Sequence, residues 1–305
     1  MSKLFIIGNG FDLDHRLPTS YNCFHRYLKE TYPNADEEYA VVPWAIPGNH
    51  GEEVYDRNEV VGYLMSLMSR TANENWSDFE DALGYLDFNY DLFELTEFTD
   101  RHGEPNYFHA VYNNEDTSSQ LARCVPMILD LFSEWVETID IFGAKPKTAF
   151  QKLIDPSQDL FLNFNYTQTL ERLYGVPDVC HIHGTLGEKL MVGHGAEPRC
   201  DKNLPLGSED GVKSIHEALR KDTAGALEKH RAFFQELSSG LSAVYSYGFS
   251  YGEVDEVYIK EICRAVPTKS VVWYLYDHAS ADHRRFKNIL RKCGFKGRFD
   301  TFDCK

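Results

Sequence analysis

Short apolar runs ended by glycine or polar residues occur at the start of the chain and again after residue 155, separated by stretches with helical spacing. KLFIIG at 3–8 reads as a buried first strand that stops at Gly8, Asn9 and Gly10. A loop to Ser20 follows, and Thr19 or Ser20 can cap a helix over 21–31. Later strands are predicted at LFLNF (160–164), VCHIH (179–183), AVYSYG (243–248), SVVWYLY (270–276) and near 299–302. Helices are predicted at 167–174, within 213–238, at 253–264 and at 280–292, and KLMVGH (189–194) looks like part of a hairpin. This alternation predicts an α/β fold with a doubly wound, mostly parallel, Rossmann-like sheet.

Residues 32–155 break the pattern. Val60, Val61, Leu64, Leu67 and Met68 form one helical face, and Leu121, Val125, Ile128, Phe132, Trp135, Val136 and Ile139 form another. Ser77 and Glu80 read as a capping box opening a helix after Trp76. The polar stretch 99–117, with Gly103 and Pro105, reads as a loop. The expected organisation is a nucleotide-binding α/β domain made of 1–31 and 156–305, carrying a large helical insertion at 32–155.

Composition narrows the function. The 305 residues are 43% hydrophobic and 14% aromatic, enough for a folded core, and no apolar run approaches a membrane span. A formal net charge of -16 repels polyanions, so nucleic acid is disfavoured as a main ligand, while backbone amides at a turn still suit a small nucleotide. Seven scattered cysteines without a CxxC pair fit reduced thiols, and LFIIG is too short for a signal-peptide core; both predict a cytoplasmic chain. The chain is compatible with a homo-oligomer.

Candidate chemistry gathers at strand ends. Gly8, Asn9 and Gly10 suit either a tight turn or a ligand cradle, and Asp12 suits a ribose hydroxyl or an Asx turn. Asn163 and Asn165 share one strand face, opposite Leu162 and Phe164; Asn165 with Gln168 can also be a helix N-cap. His181 and His183 share a face opposite Cys180 and Ile182, and Gly184 closes the strand, so His183 is either a general base or a satisfied core histidine. Gly248 and Ser250 form a turn with a hydroxyl at a helix start, with Glu253 completing a capping box, and Asp255 reads as a first-turn helix residue. A metal set of His181, His183, His194 and Cys200 has no recognised ligand spacing, and no metal is expected.

The ordered segments IIGNGFDLDHRLPTSY, WSDFE, FNYTQTLE, HIHG and YGFSYGEVD resemble the AbiH family of bacterial proteins associated with abortive infection by phage. That likeness implies an antiphage factor, with a phage-derived component as its trigger. A more distant likeness to sirtuins and their NAD-cleaving relatives rests on the order Gly8 to Gly10, Leu17-Pro18, Asn165, His183-Gly184, Gly248 to Ser250. It implies a sirtuin-like NAD pocket with Asn165, His183 and Asp12 at the reacting end. Gly8, Asn9, Gly10, Phe11, Tyr166, Thr167, Gly184, Gly248 and Ser250 would then surround the nucleotide. The four-cysteine zinc module of protein deacylases is absent, and Asn9 and Asp12 replace small residues, which turns the expectation to NAD hydrolysis or plain binding. The expected activity is NAD glycohydrolase, with a non-catalytic nucleotide sensor, or an effector acting on another nucleotide, as alternatives. Glu171, six residues past Asn165, reads as too remote to assist.

Overall fold

A computed structural model describes residues 2–49, 51–74, 76–197 and 204–304. The chain divides into two compact units, a sheet unit of Met1–Ser20, Val136–Met191 and Asp222–Lys305, and a helical unit of Tyr21–Trp135 and Val192–Lys221. Compared with boundaries at 32 and 155, the helix Tyr21–Thr31 joins the helical unit, 136–155 joins the sheet unit, and 192–221 returns to the helical unit.

The sheet unit is doubly wound. Strands β1 (Lys3–Ile7), β2 (Leu160–Asn163), β3 (Cys180–His181), β4 (Ala243–Tyr247), β5 (Val272–Tyr276) and β6 (Arg298–Phe302) are all parallel, in the order β3-β2-β1-β4-β5-β6. The order reverses between β1 and β4, which places a topological switch point at the end of the first strand. The unbroken apolar run of β1 follows from its central place: Leu4 and Ile6 enter one core, Phe5 and Ile7 the other. Phe5 stacks between Phe161 (5.3 Å) and Tyr245 (5.0 Å) and meets Phe150 edge-on, so truncating it would cost about 3–5 kcal/mol.

Two sequence expectations for this unit change. A helix, Asn9–Asp14, starts directly after Gly8, where a loop to Ser20 was expected. The predicted hairpin at 189–194 forms no strand, because Met191 N–H bonds back to the His183 carbonyl (2.8 Å) and this part of the chain stays irregular.

The helical unit is held by aromatics. Phe24 lies within 5.3–6.0 Å of Trp76, Phe79, Phe132 and Trp135. The stretch predicted as a loop is helical from Tyr107, where the Asn106 side chain accepts from His109 N–H, and the helix continues to Cys124. It packs tightly on Glu209–Ala218: a Cβ on Gly211 would meet the Ser118 backbone at 2.6 Å. The long helix expected within 213–238 is three short ones, Glu209–Ala218, Thr223–Lys229 and Arg231–Glu236; the Asp222 carboxylate caps the second through Gly225 N–H. Asp78, rather than Ser77, precedes the helix Phe79–Ala82.

Candidate functional site

Polar side chains converge at the carboxyl ends of β1, β2 and β3, all within the sheet unit. β2 ends at Asn163, whose Oδ1 accepts from the backbone N–H of Asn165 (3.0 Å). Asn165 then turns its amide onto the Gly8 carbonyl (3.1 Å), tying the end of β2 to the turn after β1. Asn165 is therefore not a helix cap; the following helix runs Thr169–Tyr174, with Gln168 at its N-cap position.

Asp12, in the short helix after Gly8, is fully buried beside this turn. Its Oδ2 accepts from Thr167 Oγ1 (2.5 Å), Thr167 is linked to Thr169 (3.0 Å), and Oδ1 has no hydrogen-bond partner among the described residues. Burial drives the carboxyl up to about 6, against the pull of hydroxyls from Thr167 and Thr169, the Asn165 amide and the charge of His181. A carboxylate poised near neutrality inside a cluster of donors suits proton transfer or stabilisation of a cation.

The two histidines of HIHG part company. β3 ends at His181, and a turn closed by Gly184 N–H to the His181 carbonyl (3.1 Å) follows. His181 faces Asn165 and Glu171, whereas His183 packs against Phe164 and Tyr258, with Nε2 3.4 Å from Asp255 Oδ1 but out of line for a hydrogen bond. The shared-face expectation fails because the strand is shorter than the apolar pattern implied. Glu171, expected to be remote, reaches His181 Nε2 at 2.6 Å, since the helix starts only at Thr169 and places Glu171 in its first turn. The register that pairs His181 with Asn163 places it on the polar side.

The glycines owe their identity to backbone contact. Gly8 N–H bonds the Tyr247 carbonyl (3.0 Å) and Gly10 N–H the Gly248 carbonyl (2.9 Å), joining the turns after β1 and β4. A Cβ on Gly8 would lie 2.6 Å from Gly248 O, and one on Gly248, at φ +66°, 2.2 Å from Phe11 N. Tyr251, buried at φ +56°, is held by Ser246 Oγ (2.5 Å) and Trp273 Nε1 (3.0 Å), which fixes the rest of the β4 loop. Ser250 is exposed, and its carbonyl accepts from Arg285; Gly252 rather than Ser250 precedes the next helical turn.

Beside these turns is a cavity of about 200 Å³ at the ends of β4 and β5, lined by Gly10, Gly248, Ser250, Phe249, Tyr276 and His278 among others. Other expected ligand residues are placed differently. Phe11 is core, packed on Phe150 (5.3 Å) and Tyr247 (5.0 Å); the Asn9 amide donates to the Thr19 carbonyl; Tyr166 OH donates to the Met191 carbonyl. Gly184, at φ +83°, sits against the Lys189 carbonyl. Among the described residues no three His, Cys, Asp or Glu groups converge as metal ligands; Cys200 lies outside the described residues. His194 Nε2 donates to the His216 carbonyl (3.0 Å).

A family model for bacteriophage abortive infection AbiH matches residues 4–277. No curated protein and no solved structure matches the chain. Among the described residues, no helix is long and apolar enough to cross a membrane. Since the match covers most of its length, the chain belongs to the AbiH family.

Proposed function

We propose that this AbiH-family protein serves abortive infection as a nucleotide N-ribosyl hydrolase, with NAD as the substrate and a phage-derived component as the trigger. The observation that supports this most is Asp12: a fully buried carboxyl raised to about 6, with one oxygen unbonded, next to Asn165 at a topological switch point. Cleavage takes a water and the cationic nicotinamide–ribose bond. The C–N bond breaks with its electron pair leaving on nicotinamide, the water oxygen bonds the ribose carbon, and one proton is released. Nicotinamide departs neutral and needs no acid. Asp12 offsets the charge of the cationic transition state and accepts the water proton, while Asn165 orients the water or the ribose hydroxyls. His183, set against Asp255, is the alternative acceptor of that single proton.

The cavity beside Gly10 and Gly248 is smaller than the roughly 300–1,000 Å³ of drug-sized pockets. It suits one ring or sugar of the nucleotide rather than the whole molecule. Purified protein incubated with NAD, with and without phage lysate, should release nicotinamide. Asn165→Ala and Asp12→Asn should each lower the rate by about 10²–10⁴. NAD binding without release under any condition would favour the sensor reading, and wild-type rates in both variants would move the chemistry elsewhere.

A further inference from the structure

His181 is buried, and both of its ring nitrogens face acceptors. Nε2 lies 2.6 Å from Glu171 Oε1 and Nδ1 lies 3.2 Å from the Asn165 carbonyl oxygen. A neutral imidazole has a single N–H and would serve one of these, setting a lone pair against the other oxygen. Satisfying both takes one more proton on the pair. Glu171 Oε1 is taken up by this contact and its Oε2 is buried, and because an imidazole is a stronger base than a carboxylate the proton of the pair resides on the ring. The result is a charge-assisted contact on one side and a donor to the Asn165 backbone on the other.

Asn165 is thereby held at three points: its carbonyl by His181, its N–H by Asn163 and its amide by Gly8. The ionisable groups around the ring come from separate elements: Glu171 from the helix after β2, Asp12 from the helix after β1, His183 from the next turn, and His230 from the junction of two later helices. Asp12 is the one fully buried among them, and among the described residues no cation pairs with it directly.

We infer that His181 and Glu171 are positioning residues: the imidazolium, anchored by Glu171, locks Asn165 in place and supplies the positive charge against which buried Asp12 ionises. Its catalytic consequence rests on the N-ribosyl reading above, whereas the charge of His181 does not.

Two measurements test the two parts. In ¹⁵N-histidine spectra of the ligand-free wild type at neutral pH, assigned by His181→Gln, both His181 nitrogens should resonate as protonated donors; a neutral tautomer would overturn the inference. In nicotinamide release, Glu171→Gln should move the acid limb of the pH profile upward, with about fivefold loss of kcat near pH 6 for a one-unit displacement, little change in KM, and recovery in Glu171→Asp. An unshifted limb in Glu171→Gln refutes the positioning role. Should no nicotinamide be released at all, the N-ribosyl reading fails, and the wild-type spectra still decide the charge.

Discussion

Replacing Asp12 with Asn should gain stability relative to wild type as the pH rises to neutral, while slowing the proposed NAD cleavage. Burial holds the Asp12 carboxyl at about 6, against an unfolded value of 3.8. Between those values the native state binds more protons than the unfolded chain, so stability is complete below about pH 4 and is lost as pH rises through 6. The displacement of about two units corresponds to roughly 3 kcal/mol. Asn removes this charge. It also places an amide where Oδ1 has no partner, at a pH-independent cost of about 1–3 kcal/mol. Urea denaturation of both proteins from about pH 4 to pH 8 separates the two effects. The stability of Asp12→Asn relative to wild type should climb by up to about 3 kcal/mol across that range, most steeply between pH 4 and 6. A difference that stays flat, or falls with pH, would mean that the carboxylate is stabilised in place and would remove the basis for a poised base.

Gly248→Ala should cost about 3–5 kcal/mol, from a left-handed φ and a Cβ 2.2 Å from the Phe11 nitrogen. Gly175, also at φ +66° but with open space around it, should lose only about 1 kcal/mol as Ala; equal losses would show that the loop contact is not the reason for Gly248. Lys221 is almost fully buried and pairs with Glu80 at 3.0 Å, so Glu80→Gln should destabilise by about 3–5 kcal/mol, with much of it regained in Glu80→Leu combined with Lys221→Met. No recovery in the double variant would place the loss outside the pair. His194, held down to about 4 by burial and by His216, stays neutral when folded. Its contribution is complete above pH 6.5 and is lost toward pH 4, on the order of 3 kcal/mol, so His194→Gln should flatten acid destabilisation; an unchanged slope refutes this.

The segment 160–184 shows how far pattern carries. Leu162 and Phe164 fall in one core with Asn163 on the polar side, as alternation predicts. Alternation fails within HIHG, because the last strand bond is made at His181 and the chain then turns. Glu171 escapes local counting for a related reason: counting helical residues from Asn165 puts it more than a turn away, yet three residues of non-helical chain intervene and fold it back onto His181. Strand and helix ends are set by which backbone groups find partners elsewhere in the fold, and that information is not local.

The sequence by itself determined the class of the fold. Apolar runs buried on both faces, alternating with amphipathic helices, have few ways to pack other than a parallel, doubly wound sheet. It also delivered Asp12, Asn165 and the glycine turns to strand ends. Tertiary structure alone decided what those residues do. It set Gly8 and Gly10 against Gly248, withdrew Phe11 into the core, separated His183 from His181, and joined His181 to Glu171. Those outcomes depend on contacts between residues as many as 240 positions apart, and no local periodicity encodes which strand ends come to face one another.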